Sequence, residues 1–566
     1  MEASGAALVD RIPRDTLARL FRVGLALGAE RDGPRLMERI LSEAKSLTRA
    51  DGGTLYLRTD EDQLELTIIL NDTLKLALGG ANVLDEVLED GGGAASPTRP
   101  AVPLFDPESG APNHAHVAAH AVHLGQAVNI ADAYQAVGLD FSGTREFDAR
   151  HGYRSTSFLT VPMSNQQGRV IGALQLINAR DEDGRIISFD PVCQAVVECL
   201  SAQAAVALDA FLLLEQERRF MNAFLEMLAG AIDRKSPYTG GHCRRVPELT
   251  EMIVDAMIAA KDGPMADFGL TEAERYELHI AGWLHDCGKV TTPPHVMDKA
   301  TKLEGISDGI ERVRLRLAAR AAEGADPEQR SWLNDTMGLL ERCNRGAESM
   351  SSEDLSALRE VAALDYPRLE GGRGRVIEPE ELERLSIQRG TLTEAERLII
   401  NGHMVDTVLM LEALPFPRNL SKVPDIAGGH HERMDGEGYP RGIFAGDLPE
   451  TARAMAIADV FEALTAADRP YKKAMPLSLA MKIMGGMKVR NHLDPVLFDF
   501  FVTSGVYRRY AEKYLPEELR DEVDEAALLA LEPQPFALPP SDERARRWDG
   551  FRPEYEPLAR RAERDL

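Results

Sequence analysis

Seven side chains in this sequence could together hold divalent cations: His242, His285, Asp286, His403, His430, His431 and Asp459. Imidazole nitrogen and carboxylate oxygen suit borderline and hard metals such as iron, manganese and zinc. The pairs His285-Asp286 and His430-His431 are adjacent in sequence. Neighbours on a helix diverge by about 100°, so both members of a pair reach one pocket from the inner quadrant of a helix that faces it. Asp286 has two oxygens and can bridge two ions. So many donors exceed the needs of one tetrahedral zinc. They suit a two-metal centre, with ions roughly 3.5–4 Å apart, of the kind that hydrolyses phosphodiesters. Taken singly, each residue has a plainer reading. A lone buried histidine is more often a hydrogen-bonded core residue, Asp435-Gly436 is a turn, and Asp459 in an alanine-rich segment is a helix cap.

The elements that must position these residues read as mostly helical from about 232 to 515. Within that region, about 305–390 is charged and reads as an insertion, with helices over 310–322, 331–342 and 353–364. Residues 12–190 mix helix and strand in an α+β pattern. Pro34 suits the first turn of a helix, and 53–57, 64–70, 157–162 and 170–177 read as strands. A linker helix over 191–231 opens on Pro191. Val197, Leu200, Ala204, Ala207, Phe211, Leu214, Met221, Leu225, Leu228 and Ile232 recur along it at alternating three- and four-residue steps, with Arg218 interrupting. That period marks a coiled-coil seam; the plainer reading is one amphipathic helix packed on its own domain. The tail, 516–566, is acidic, then Pro-rich, then Arg-rich, and is expected to pack weakly.

Local context decides between the readings of the seven residues. The segment Ala281-Gly-Trp-Leu-His-Asp-Cys-Gly-Lys289 resembles the HD signature of metal phosphohydrolases. His430-His-Glu-Arg-Met-Asp-Gly-Glu-Gly-Tyr-Pro440 resembles the hallmark of the HD-GYP family. Tyr238-Thr-Gly-Gly-His242 with Arg245-Val246, Ala458-Asp459-Val-Phe-Glu-Ala-Leu-Thr465, and Arg469-Pro-Tyr-Lys472 resemble its opening and closing motifs, in the family's order. The resemblance covers about 232–500. It implies an all-α HD-type phosphohydrolase domain over 232–515 that opens cyclic di-GMP to pGpG and in some members cuts further to GMP. His242, His285, Asp286 and Asp459 would hold one ion, and Asp286, His403, His430 and His431 a second. Iron or manganese is expected. Some members add a third ion through a glutamate four residues before the first histidine. Tyr238 stands there in this chain, so two ions are expected. Lys289, with Asp286, is the expected catalytic group beside the ions, placed to offset charge on a phosphoryl oxygen. Arg469 and Lys472 are candidates to clamp the substrate's phosphates. In typical members the Lys-x-x-x-Leu segment, here Lys299–Leu303, runs almost directly into the helix of the third metal histidine. Here about 85 residues intervene, as a lid, a dimer contact, a partner dock or an inert excursion. Two other readings stay open: a catalytically silent cyclic-dinucleotide receptor, and a phosphohydrolase of another nucleotide.

Val128-Asn-Ile-Ala-Asp-Ala-Tyr134, Gly152–Leu159, Val161-Pro162 and Gly172-Ala-Leu-Gln-Leu-Ile-Asn178 resemble a GAF domain over 12–190, of the type in cyclic-nucleotide phosphodiesterases and adenylyl cyclases. This implies a sensor for a small molecule. Of the cyclic-nucleotide signature, Asn178 and Phe189 are present, but Ala179 replaces the lysine and Cys193-Gln194 the acidic pair. His114, His116, His120 and His123 form a second histidine cluster, read as part of a GAF loop and helix.

The bulk numbers set the remaining expectations. The 566 residues carry a net charge of -26, which disfavours duplex nucleic acid as a partner. Five cysteines without a CxxC pair fit reduced thiols. No secretory pattern opens the sequence, and apolar runs of about ten residues are short for a bilayer. A cytoplasmic homodimer without membrane contact is expected, acting on a cyclic dinucleotide.

Overall fold

A computed structural model describes residues 12–79, 101–235, 241–305, 307–323, 327–346, 350–466 and 475–565. The chain divides into two units between Phe220 and Met221.

The first unit is built on an antiparallel sheet. Its strands are β1 (Ala50–Arg58), β2 (Gln63–Asn71), β3 (Leu76–Leu78), β4 (Ala101–Pro103), β5 (Val128–Ile130), β6 (Phe158–Ser164), β7 (Val170–Arg180) and β8 (Ile186–Ile187). The order is β3-β2-β1-β7-β6-β5, with β4 on β2 and β8 on β7. Leu55 pairs with Leu174 across β1 and β7, and period-two alternation puts both on one face. That face is covered by α1 (Arg14–Ala29), α2 (Gly33–Thr48) and the first half of α5 (Pro191–Lys235). Leu20, Leu27, Leu36, Ile40, Leu55, Leu174, Val197, Leu200 and Leu208 form its buried core. Asp32 caps α2 by accepting the Arg35 N–H, and Pro34 sits in the first turn as expected. The other face packs Tyr56, Leu64 and Ala173 against α3 (Val117–Leu124). A further helix, α4 (Ser142–His151), precedes β6.

Helix α5 runs for 45 residues from Pro191. The stripe expected to be a coiled-coil seam is largely consumed within the units. Val197, Leu200 and Ala204 are core residues of the first, with Ala207 and Phe211 packed beside them. Leu225 and Ile232 belong to the core of the second. Leu214 and Met221 of that stripe are 51% and 36% accessible. A different stripe is left exposed: Val206, Leu213, Phe220 and Met227, each seven residues from the next, are 47–70% accessible. By length and composition α5 is also long and apolar enough to cross a bilayer, unlike the expectation from short apolar runs. Of the apolar window on this helix 39% is buried inside the protein; Val196, Val197, Leu200, Ala204, Ala205 and Leu208 are in the first unit's core.

The second unit is mainly helical. Its site-bearing helices are α6 (His242–Ala259), α7 (Glu272–Leu284), α11 (Glu394–Asn401), α12 (His403–Glu412), α13 (Val423–Gly428) and α14 (Glu450–Thr465). All but α11 share a core that includes Val246, Ile253, Ile280, Ala281, Ile457, Ala458 and Phe461. The insertion contains α8 (Ile310–Ala321), α9 (Pro327–Asn344) and α10 (Ser352–Ala362), close to the expected helices. A small hairpin, β9 (Asp365–Pro367) with β10 (Arg373–Arg375), follows them and had no clear strand signal. Val313, Leu317, Leu340, Leu358, Val376, Ile377 and Leu385 give this subdomain its own core. Its base is pinned by buried lysines. Lys302 Nζ donates to the Leu385 and Ile387 carbonyls at 3.0 and 2.7 Å, and Lys299 Nζ lies 2.7 Å from Glu396.

The tail departs from expectation. Trp548 packs beside the Met434, Ile443 and Leu448 cluster. Tyr555, which precedes α15 (Glu556–Asp565), and Ala559 within it are buried with Val405. Its charged composition conceals apolar anchors at Trp548, Phe551, Tyr555 and Leu558.

Candidate metal centre

Each of the seven residues sits at or near a helix end or on an inward helix face. His242 opens α6 and His403 opens α12. His285 follows the last residue of α7, and Asp286 precedes a 3-10 turn over Cys287–Val290. His430 and His431 follow the end of α13. The adjacent pairs are thus not neighbours within a helix, as the sequence reading held. At Asp286 the backbone (φ -112, ψ 16) has left the helix, and this bend turns neighbouring side chains into one pocket. Asp459 lies within α14 and is buried.

The donors form two groups that share one residue. His242, His285 and Asp286 make the first; Asp286, His403, His430 and His431 make the second, with donor atoms of each group within 4.8 Å of one another. These are the groups of three or more metal-type donors among the described residues. Asp459 joins the first, since His242 Nε2 lies 3.3 Å from both Asp459 Oδ1 and Asp286 Oδ2. Asp286 Oδ2 is 3.2 Å from His285 Nε2, and Oδ1 is 3.2 Å from His403 Nε2.

Three histidines are oriented in the same way. Nδ1 of His285, His403 and His430 donates to the carbonyl three residues back, that of Gly282, Ile400 and Ala427, at 2.6, 2.5 and 2.7 Å. A proton on Nδ1 leaves the lone pair on Nε2. All three Nε2 atoms, and Asp286 Oδ1, are buried without a hydrogen-bond partner. Buried polar atoms are normally satisfied, so four orphaned acceptors converging on one space fit a bound cation. The nitrogen and oxygen donors suit the divalent first-row metals.

The electrostatics agree. Burial and the neighbouring His285 push His430 down to about 4, and burial with His430 holds His431 well below the imidazole range. Both are neutral at physiological pH, the form in which an imidazole can hold a cation. Burial opposes charge on Asp286, but Lys289 and the histidines outweigh it and hold its carboxyl low. Asp459 is lowered likewise, chiefly by His242 against burial.

Supporting residues that the sequence reading missed complete the centre. Glu462, buried, bonds His242 Nδ1 and is itself held by Arg245 Nη2 at 2.6 Å. A carboxylate behind a ligand histidine fixes its ring and raises its basicity. The clue was its place three residues after Asp459, on the same helix face. Thr407 Oγ1 accepts the Gly288 N–H at 3.0 Å, tying the Asp286 turn to α12. Glu432 accepts the N–H groups of Arg441, Gly442 and Ile443 at 2.8–3.1 Å, and burial raises it to about 7. It closes the loop whose Tyr439-Pro440 peptide is cis. Gly438 packs so tightly in this loop that a Cβ would lie 2.3 Å from the Arg433 nitrogen; only glycine allows that approach. The Tyr439 ring then stacks on His431, with centroids 4.9 Å apart.

Lys289 Nζ lies 2.5 Å from Asp286 Oδ2. Burial works against its charge, but Asp286 and Asp459 raise its pKa and keep it protonated. Arg469, Lys472 and Tyr238 lie outside the described residues. In the first unit, Asn178 is a structural residue: its Oδ1 accepts the Thr156 N–H at 2.7 Å and its Nδ2 donates to Tyr153 and Arg154. Phe189 is in the core. His116 caps α3, His123 bonds the Leu104 carbonyl, and His114 and His120 face each other at 3.0 Å.

Comparison with known proteins follows the same division. A GAF-domain family model matches residues 32–208, and an HD-domain model matches 332–497. Over 194 residues the chain is 32% identical to 3'3'-cGAMP-specific phosphodiesterase 1 of Vibrio cholerae serotype O1, covering 34% of this chain and 42% of that protein. Over 311 residues it is 26% identical to 3'3'-cGAMP-specific phosphodiesterase 3 of the same organism, covering 54% and 42%. Over 182 residues it is 31% identical to the cyclic di-GMP phosphodiesterase response regulator RpfG of Xanthomonas campestris pv. campestris, covering 32% and 44%. The chain thus spans less than half the length of each of these relatives.

Proposed function

We propose that this chain, which joins a GAF domain to an HD domain, hydrolyses a phosphodiester bond of a cyclic dinucleotide at the centre around Asp286. The observation that carries the reading is the set of orphaned Nε2 atoms on His285, His403 and His430 facing an orphaned Asp286 oxygen. His242, His285, Asp286 and Asp459 would hold one divalent ion and Asp286, His403, His430 and His431 another, iron or manganese. Bound there, such ions supply a water of lowered pKa and offset charge on phosphoryl oxygens.

The chain's own groups do the rest. Glu462 and the three carbonyls orient the ligand rings. Asp286 stands between the two groups with one oxygen toward each. Lys289 keeps its proton and places a cation beside the centre, where it offsets developing charge on a phosphoryl oxygen. Arg469 and Lys472 are the proposed clamp on the substrate's outer phosphate. The relatives' names support two substrates, cyclic di-GMP and 3'3'-cGAMP; the family resemblance favours cyclic di-GMP, opened to pGpG. The GAF domain senses a small molecule in the cytoplasm. The heptad-spaced Val206, Leu213, Phe220 and Met227 support pairing of α5 with a second copy.

The test is anaerobic purification, a metal count per chain, and product analysis with each dinucleotide. Two ions and a linear product are expected, and no product from the double variant His285→Ala/Asp286→Ala. Turnover that persists in that variant would refute the reading.

A further inference from the structure

The tail reaches the centre through a stack of rings. His285, His403 and His430 are each oriented by a carbonyl three residues back. For His431 no such bond is found among the described residues, and its ring instead lies against Tyr439 at 4.9 Å and 20°. Behind Tyr439, in the turn just before α15, Tyr555 stacks at 6.0 Å and 25°. Both separations are within the range of favourable ring pairs. Tyr555 is 5% exposed, and its hydroxyl accepts from Asn401 Nδ2 at 3.3 Å, two residues before His403. Leu558, one turn on, closes against Gly402: a Cβ there would lie 2.8 Å from Leu558 Cδ1. The loop that carries Tyr439 is held from the same side. Arg552 donates from Nη1 to the Gly438 carbonyl at 2.8 Å and from its backbone N–H to that of Pro440 at 2.9 Å. Arg547 Nη1 donates to the Gly442 carbonyl at 3.1 Å. These tail contacts bear on the elements of His403 and His431, both in the second donor group.

We infer that Tyr555 is a positioning residue for the second ion: its ring, stacked behind Tyr439, sets the ring plane of His431. The inference rests on the two-ion reading above. An outer partner of a metal ligand typically changes affinity 10–100-fold. A residue one ring further out belongs at the lower end.

The experiment is titration of the metal-stripped full chain with Mn2+, counting bound ions per chain, for wild type, Tyr555→Phe, Tyr555→Leu and Tyr555→Ala. Phenylalanine keeps the ring; leucine keeps apolar bulk without one, and serves if the alanine variant does not fold. Wild type and Tyr555→Phe are expected to bind two ions alike. In Tyr555→Leu and Tyr555→Ala one of the two steps should weaken by about tenfold while the other is unchanged. Two unchanged steps in the ring-less variants, equal weakening of both steps, or a Tyr555→Phe that behaves like Tyr555→Leu overturns the inference. A wild-type chain that binds no Mn2+ removes the two-ion reading itself, which separates the two failures.

Discussion

Gly288 is where a single methyl group should dismantle the centre. It lies in the turn after Asp286 and packs directly on the first turn of α12. A Cβ built there stands 2.0 Å from the His403 carbonyl oxygen, 2.5 Å from the Thr407 nitrogen and 2.7 Å from Thr407 Oγ1. Two of these are backbone atoms and cannot rotate away. A carbon–oxygen contact needs roughly 3.4 Å, so in Gly288→Ala the turn must recede from α12 by about 1.4 Å. The turn follows Asp286 and α12 opens on His403, so the two sides of this contact carry one donor each. Asp286 Oδ1 and His403 Nε2, now 3.2 Å apart, would separate beyond the span of a shared ion. Overpacking of this kind costs about 1–3 kcal/mol of stability, and a 1 Å misplacement at a reacting centre costs about 10²-fold in rate. The expected variant is folded, less heat-stable, short of metal and at least about 100-fold slower with a cyclic dinucleotide. Metal counting, thermal unfolding and product formation, each beside Gly269→Ala, whose Cβ meets nothing within 4 Å, form the assay. A Gly288→Ala chain with wild-type metal content and turnover would show that contact between the turn and α12 does not assemble the centre.

Other perturbations follow from the same geometry. Glu462→Gln removes the carboxylate behind His242 and should weaken one Mn2+-binding step about 10–100-fold with little change in fold; unchanged titration would remove Glu462 from the centre's support. At the base of the insertion, burial would raise the Glu396 carboxyl, but Lys299, the Thr393 N–H and Arg384 lower it to about 2. Its stabilisation is therefore full above the ordinary glutamate range and is lost as pH falls towards 2. The wild type should lose about 1–2 kcal/mol more than Glu396→Gln between pH 6 and pH 3, read from urea midpoints, and parallel losses would contradict the clamp. Leu213→Glu with Phe220→Glu places charge on the exposed heptad stripe and should turn a dimer into a monomer by light scattering. A dimer that survives would mean copies do not pair along α5.

Much of this protein was readable in its sequence because the information is local. Strands β1, β2, β6 and β7 of the first unit, the start of α5 at Pro191 and the three helices of the insertion follow from alternation, proline placement and helical period, whereas the short β3, β4, β5 and β8 had no such signal. The candidate ligands could be named because each stands in a short motif whose residue types suit a cation. Tertiary structure alone decided how they meet. His242 and Asp459 are distant in sequence yet 3.3 Å apart, and the paired ligands converge because the chain leaves the helix at Asp286. On α5, apolar period marks a stripe without saying what buries it; for Val197, Leu200, Ala204, Leu225 and Ile232 the units' own cores do. The tail was misread because composition averages over residues, whereas Tyr555 and Trp548 act one by one. Side-chain type and period are written along the chain; which surfaces touch depends on packing between distant segments, and no local pattern carries that.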